Sequence, residues 1–473
     1  MRYLYQDLEQ ELTASIASGK IQTGEKLPSI RSQCSQRGLS KATVIHAYQR
    51  LEAAGLVEVR EKAGYFVTAK KNQHPVPTQP KIVTVPRLVD MSDIMRDIMA
   101  QSAAFDISPE IGKRSDAAVS VIELNRCLSR ALRSQSGIEH QYYDEPAGLF
   151  RLRSQIMSRY QRLGCSLQES DIIVTAGCQH ALSLALQSCC KAGDIVAVES
   201  PGFYGVLQLL ESMGLQVLEI PVTANEGLSV DALEQALAQW DVKACVVTPS
   251  FSTPAGGVIP DDERLKLLRL ADEFDFTIVE DDIYGDLSFG SRIPPLKSLD
   301  NANRVILCGS YSKSLSRELR LGWIISNSGQ QELMRLKMVN MLALSQFSQR
   351  GLADFLEGGN YDKHVRKQKE LLQQQRDQLI DLLYTHWGHL GEIRVSQPQG
   401  GLTLWVELES EYDVSGSYLE ARQQGIIITP GNLFTAQSQY RNCLRLSYAH
   451  TWNERRQHAL IKLGEILAKQ RNV

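Results

Sequence analysis

The chain has 473 residues, with 51 lysines and arginines against 54 carboxylates and a formal net charge of −3. That length exceeds one ordinary domain, the 43% hydrophobic and 22% charged content is globular, and no apolar run reaches membrane-spanning length. The opening Met1-Arg2-Tyr3-Leu4 lacks signal-peptide character, and nine scattered cysteines form no C-x-x-C pair, which argues for a reduced, cytoplasmic chain without a disulfide frame or metal site.

Leu4, Leu8, Leu12 and Ile16 recur at helical spacing and predict a first amphipathic helix. After Gly19 and Gly24, Leu27-Pro28-Ser29-Ile30-Arg31 opens a second, ended by Gly38. Ser40 is an N-cap candidate for a third helix, Lys41 to Ala54, closed by Gly55. Val57-Glu58-Val59-Arg60 and Tyr65-Phe66-Val67 predict two strands around a turn at Glu61-Lys62-Ala63-Gly64. Three helices and a hairpin make a winged helix-turn-helix. Up to residue 69, nine basic residues face seven carboxylates, a net of only +2. Placement matters more. Arg31, Arg37, Lys41 and Lys62 fall at the second helix, the turn, the start of the third helix and the wing tip, where phosphates and a major groove would be met.

Residues 1–69 resemble the GntR-type winged helix. The match rests on Gly24-Glu25-Lys26-Leu27-Pro28-Ser29-Ile30-Arg31, Leu39-Ser40-Lys41-Ala42-Thr43-Val44, the run from Ala47 to Val57, and Ala63-Gly64-Tyr65-Phe66-Val67. The resemblance implies double-stranded DNA as the partner, touched by Ser29, Arg31, Ser40, Lys41, Thr43 and Gly64. Taken singly, Ser29 and Thr43 could equally only cap or pack.

Residues 70–105 read as a linker. Pro75, Pro77 and Pro80 stand in an almost apolar-free stretch, which predicts an extended, semi-rigid tether giving the first module reach. Leu88 to Met99 is a candidate short helix.

From 106 to 473, apolar strands alternate with amphipathic helices, an α/β domain with a mostly parallel sheet. Ligands gather at the carboxyl ends of such strands. After Ile172–Thr175 comes Ala176-Gly177-Cys178-Gln179 opening a helix, a phosphate cup or an ordinary turn. After Ile195–Val198 comes Pro201-Gly202-Phe203, whose ring could stack on a flat cofactor or fill core. After Ala244–Val247 comes the Pro/Gly-rich loop around Thr253-Pro254. After Thr277–Val279 comes Glu280-Asp281-Asp282-Ile283-Tyr284, where one carboxylate could hold a pyridine nitrogen protonated and a tyrosine could reach a ring hydroxyl. After Val305–Cys308 comes Ser310-Tyr311-Ser312-Lys313, with Arg320 beyond. A loop lysine beside hydroxyls and an arginine can hold a phosphorylated aldehyde as a Schiff base. Each motif is weak alone. Their order is the stronger signal.

The region from about 140 onward resembles a fold-type-I, class I aminotransferase. The match rests on Tyr143-Asp144-Glu145-Pro146-Ala147-Gly148-Leu149, Thr175 to Gln179, Glu280 to Tyr284, Ser310 to Lys313 and Leu444-Arg445-Leu446-Ser447. The resemblance implies pyridoxal 5'-phosphate as cofactor, with Lys313 as the internal-aldimine lysine. It implies Asp281 on the pyridine nitrogen, Tyr284 on the ring oxygen and Phe203 stacked on the ring. Gly177, Cys178, Ser310, Ser312 and Arg320 would hold the phosphate, Tyr143 would reach that of the partner subunit, and Arg445 would grip a substrate carboxylate. Thr253 stands where the family pattern has asparagine donating to the ring oxygen. Arg317-Glu318 stands where it has Pro-Gly.

A GntR-type winged helix, a linker and an aminotransferase-like domain together resemble a MocR-type transcriptional regulator. The resemblance implies a homodimer in which an amino acid or amine forms an external aldimine in place of Lys313 and so alters DNA binding. Two other readings stay open: a working aminotransferase with a secondary DNA module, and a DNA-binding protein whose large domain only dimerises.

Overall fold

A computed structural model describes residues 4–17, 20–22, 24–53, 56–60, 64–67, 75–79, 82–89, 119–135, 137–138, 142–437 and 439–471. The chain divides into two compact units, Met1–Pro75 and Val76–Val473.

In the first unit α1 (Leu4–Ala17), α2 (Ile30–Arg37) and α3 (Lys41–Ala53) precede the antiparallel strands β1 (Val57–Arg60) and β2 (Gly64–Val67). Leu8 and Leu12 of α1 meet Val44, Ala47, Tyr48 and Leu51 of α3 in one buried core, closed by Leu27, Val57 and Val67. Each fully buried leucine contributes about 2 kcal/mol of transfer free energy. The Tyr48 hydroxyl donates to Pro28 O at 2.7 Å and ties α3 to the start of α2. Residues 24–27 add a third backbone rung beside the hairpin, with Leu27 N–H donating to Tyr65 O at 2.8 Å and Val67 N–H to Glu25 O at 2.9 Å. That pairing has no periodic signature in the sequence. The turn at 61–63, with Lys62, lies outside the described residues.

In the second unit an eight-stranded sheet runs in the order β3-β10-β9-β8-β7-β4-β5-β6. Its strands are β3 (Ile172–Thr175), β4 (Ile195–Ser200), β5 (Gln216–Thr223), β6 (Gly227–Leu228), β7 (Val242–Val247), β8 (Thr277–Asp281), β9 (Val305–Ser310) and β10 (Gly322–Ile325). From β9 through β5 the strands are parallel; β10 is antiparallel to both its neighbours. Every residue of β3, β9 and β10 is buried, as expected where helices cover both faces. The chain leaves β4 for β5 on one side and returns to β7 on the other. The crevice at that switch is where such sheets bind ligands.

A second, antiparallel sheet follows near the C-terminus in the order β11-β12-β14-β13, with β11 (Arg394–Val395), β12 (Thr403–Glu407), β13 (Thr429–Pro430) and β14 (Cys443–Ser447). The long helix Asn360–His386 joins the two regions. Its Tyr361 and Val365 pack with β3 and β10, while Leu372, Leu379 and Leu383 pack with β12 and β14.

The described part of the expected tether is also attached to the second unit. Residues 76–79 and 82–89 are extended but lie along the second unit, and Leu88-Val89 is not helical. Thr78 binds Glu407, and the backbone of Arg87 pairs with Val217. The remainder of the candidate helix, and residues 90–118, lie outside the described residues.

Candidate functional site

The ligand crevice is built from strand ends. β3 ends at Thr175, and Gly177, at φ +88°, turns the chain into the helix Cys178–Cys189. A Cβ on Gly177 would stand 3.0 Å from Arg320 Nη2, so glycine there lets a guanidinium lie against the backbone. Arg320 holds φ +48° and donates to Ala176 O at 3.4 Å. A left-handed non-glycine residue costs about 1 kcal/mol or more and persists where its surroundings hold it. The open N–H groups of a helix start and one arginine thus face the same spot, a suitable seat for a phosphate. Ser310 and Ser312 are buried at the end of β9, the Ser312 N–H donating to Ser310 Oγ at 3.2 Å.

Asp281 ends β8 and is buried. Its Oδ1 accepts from the Cys178 thiol at 3.2 Å and from the Ile283 N–H at 3.2 Å. Burial pushes this carboxyl up to about 6, against the pull of those donors. Burial likewise lowers the Lys313 amine well below the ordinary lysine range. The charges of Arg317 and Arg445 add to that, while Asp281 opposes it. A neutral amine at neutral pH is a nucleophile.

Tyr284 is buried, its hydroxyl raised above the ordinary tyrosine range by burial, with the charge of Arg445 acting the other way. Thr253 is buried too, its hydroxyl without a hydrogen-bond partner among the described residues. Phe203 precedes the helix Tyr204–Ser212 and packs 5.0 Å from Tyr204, ring centre to ring centre. A Cβ on Gly205 would clash with the Phe203 ring at 2.4 Å, so that turn is shaped around the ring. Arg445, on β14, is buried opposite Trp405 in register. Its Nη2 donates to Thr429 Oγ1 at 3.3 Å, and its guanidinium lies 5.0 Å from the Phe434 ring centre. Aromatic faces hold a guanidinium plane in place.

The structure therefore brings together Gly177, Cys178, Asp281 and Arg320, and sets Lys313 within the fields of Asp281 and Arg445. Tyr143 stands apart, 80% exposed. Sequence reasoning did not find the thiol contact to Asp281. It also missed the charge network behind the lysine loop, in which Arg292 pairs with Asp282 and Asp286, and Arg159 pairs with Asp286. Tyr361 completes it, donating to Asp286 and lying 2.6 Å from Ser314 Oγ, next to Lys313. Arg292 meets Asp282 ten residues away, but Arg159 reaches Asp286 across 127, a pairing no local pattern marks.

On the first unit, Ser29 and Ser40 act as N-caps. The Ser29 hydroxyl accepts from the Ser32 N–H at 3.1 Å, and that of Ser40 from the Thr43 N–H at 3.1 Å. Thr43 Oγ1 lies 2.8 Å from Ser40 Oγ. Arg31 and Lys41 are exposed at the starts of α2 and α3. Arg37 instead binds Glu11 with two hydrogen bonds, 2.5 and 2.7 Å, and serves the fold. Gly64, at φ +110°, opens β2 with Lys26 Cε 3.0 Å from where its Cβ would be.

Residues 4–67 match the family of bacterial regulatory proteins called gntR, and residues 120–463 match aminotransferase class I and II. The HTH-type transcriptional regulator YjiR of Escherichia coli K12 is 36% identical over 98% of both chains. YdcR of the same organism, also an HTH-type transcriptional regulator, is 32% identical over 98% of this chain and 99% of its own. A kynurenine aminotransferase from Pyrococcus horikoshii, solved with PMP, superposes with a TM-score of 0.73 at 27% identity, over 81% of this chain and 96% of that one. The molecule thus carries a winged-helix DNA-binding domain and an aminotransferase fold on one chain. It belongs to the GntR-type HTH transcriptional regulators with a class I/II aminotransferase domain, the MocR type. Among the described residues no helix is long and apolar enough to cross a membrane, and no cluster of ligands for a metal ion exists.

Proposed function

We propose that this regulator holds pyridoxal 5'-phosphate on Lys313 and changes its grip on double-stranded DNA when an amino compound takes that lysine's place. When bound, the cofactor supplies an aldehyde that condenses reversibly with amines. The residues present fit it. Gly177, Cys178 N–H, Ser310, Ser312 and Arg320 form the phosphate seat, Asp281 faces the pyridine nitrogen, and Tyr284 with Thr253 meets the ring oxygen. Phe203 covers one face. Arg445 takes a carboxylate of the incoming compound, which makes an amino acid the favoured effector class.

The observation that carries the reading is the Lys313 amine, held by burial well below the ordinary lysine range, in the same crevice as the buried Asp281, which ends β8 against the Cys178 thiol. A Schiff-base lysine gains from a lowered amine, and a pyridinium needs a carboxylate partner. The exposure of Tyr143 supports a role toward a second copy, so the working form is a homodimer with a winged helix for each half-site. A DNA ligand supports a cytoplasmic location for that work. The aminotransferase reading retains support from Arg445 and Lys313, whereas Thr253 weighs against efficient turnover, since a hydroxyl replaces an amide at the ring oxygen.

The deciding experiment is the visible spectrum of the purified chain with added pyridoxal phosphate, before and after borohydride, with mass mapping of Lys313. A band that borohydride bleaches, fixing the cofactor mass on Lys313, supports the reading. No band, and no adduct, leaves the large unit a dimerisation scaffold.

A further inference from the structure

The crevice has two walls. Lys313, Asp281 and Tyr284 belong to the eight-stranded sheet and its loops, whereas Arg445 lies on β14 of the four-stranded sheet. A ligand whose amine meets the Lys313 site and whose carboxylate meets Arg445 therefore fixes the spacing of the two sheets.

A second connection spans the same two sheets. At its start the Thr78 N–H donates to Glu407 Oε2 at 2.6 Å and its hydroxyl to Glu407 Oε1 at 2.7 Å. Glu407 is the last residue of β12 and is itself held by Arg394 at 3.3 Å. Ile82 packs on the core around β12 and β14. Val83 O accepts from Gln437 Nε2 at 3.0 Å. Four residues later the attachment changes sides. Arg87 N–H donates to Val217 O at 3.0 Å, Val217 N–H returns a bond to Arg87 O at 2.8 Å, and Val89 packs on the core beneath the eight-stranded sheet. Residues 78, 82 and 83 are thus fixed to one sheet and residues 87 and 89 to the other.

We propose that the described residues 76–79 and 82–89 form a strap that senses the spacing of the two sheets and passes it to the DNA-binding unit. The chain from Val67 at the end of the wing to Val76 at the start of the strap is short, so a displaced strap displaces the attachment point of the winged helix. The charged acceptor makes the Thr78 end a strong attachment, because hydrogen bonds to a carboxylate exceed neutral ones. At the other end the reciprocal Arg87–Val217 pair fixes register along β5. A ligand that draws the sheets together must either carry the strap or break one of its ends. Either event differs between the free and bound states, as coupling requires. The role in effector response rests on the function proposed above.

The test uses the full chain and Thr78→Pro, which removes both donors to Glu407 in a segment that is already extended. The probe is aminooxyacetate, which carries an amine-like nucleophile and a carboxylate. The visible spectrum reports its reaction with the loaded protein, and binding to the DNA upstream of the chain's own coding sequence reports the output. The strap requires the spectral response of Thr78→Pro to match the parent while the probe-induced change in DNA affinity shrinks about fivefold or more. Equal DNA responses in the two proteins overturn it. A second measurement needs no cofactor. In unloaded protein, Thr78→Pro must raise amide exchange at residues 76–79 and 82–83 and leave the strands of the eight-stranded sheet unchanged. Unaltered exchange there overturns the strap even if the parent shows no spectral response, an outcome that would separately defeat the cofactor reading.

Discussion

The Cys178 thiol donates to the carboxylate of Asp281, Sγ to Oδ1 3.2 Å, so the first residue of the helix proposed to seat the phosphate also holds the carboxylate proposed as the pyridine nitrogen's partner. A donor on the carboxylate favours its anion. Cys178→Ala should raise the Asp281 pKa further above about 6 and weaken cofactor affinity by about 1 kcal/mol, roughly fivefold, while Cys178→Ser should restore most of it. Equilibrium titration with pyridoxal phosphate at two pH values reads this directly. Equal affinities in parent and Cys178→Ala would remove the thiol from the account.

The same carboxylate sets a pH dependence. Its pKa in the folded, unloaded protein is raised from 3.8 to about 6, so between those values the folded state binds more protons than the unfolded one. This group's contribution to stability therefore falls as pH rises through that window. Cofactor affinity should move the opposite way, weakening as pH drops below about 6, because a pyridinium partner needs the anion. A pH series of dissociation constants checks the sign.

Lys313→Ala should abolish the borohydride-sensitive band and the effector response, yet leave unfolding within about 1 kcal/mol of the parent. It removes an amine that burial disfavours. A normal effector response in Lys313→Ala would refute the lysine's role.

On the DNA-reading face, Arg31→Ala and Lys41→Ala should each weaken DNA binding and reduce the salt slope by about 0.9 for each phosphate no longer neutralised. Neither change should affect thermal unfolding. A fluorescence titration at several salt concentrations separates this from a folding defect.

Ser40 can be divided into cap and contact. Ser40→Ala removes the acceptor of the Thr43 N–H and should cost about 1 kcal/mol of stability in the winged helix. Ser40→Asp keeps a cap but puts a negative charge where phosphates approach, so stability should hold while DNA affinity falls. If both substitutions leave DNA binding intact, Ser40 is only a cap.

Much of the crevice was legible because each contributing residue follows a buried strand, and buried strands announce themselves as short apolar runs. Lys313, Asp281, Gly177 and Arg320 were singled out that way, and the structure sets Gly177 against Arg320 and Lys313 in the field of Asp281. The winged helix was legible from helical spacing in α1 and from turn residues such as Gly38. What escaped was pairing over long separations. Thr78 meets Glu407 across 329 residues, and Tyr160 donates to Asp282 across 122. No local pattern marks either. Prolines and few apolar residues predict an extended chain, which the described residues 76–79 and 82–89 are, but composition does not show that an extended chain can still offer two N–H groups and one isoleucine to a neighbouring surface. Arg37 misled, since a basic residue near a turn suits either a phosphate or the carboxylate of Glu11.

Behind the lysine loop, Asp282, Arg292, Asp286 and Arg159 keep side-chain exposures of 4%, 15%, 15% and 18%. Charges so enclosed feel little of the ionic atmosphere, whereas Arg31 and Lys41 lie fully within it. Concentrated salt should then act as a selective solvent: it strips the molecule from the chromosome while the effector crevice keeps its shape and its spectrum. Protein eluted from a DNA column by salt would come off already competent to meet its small molecule.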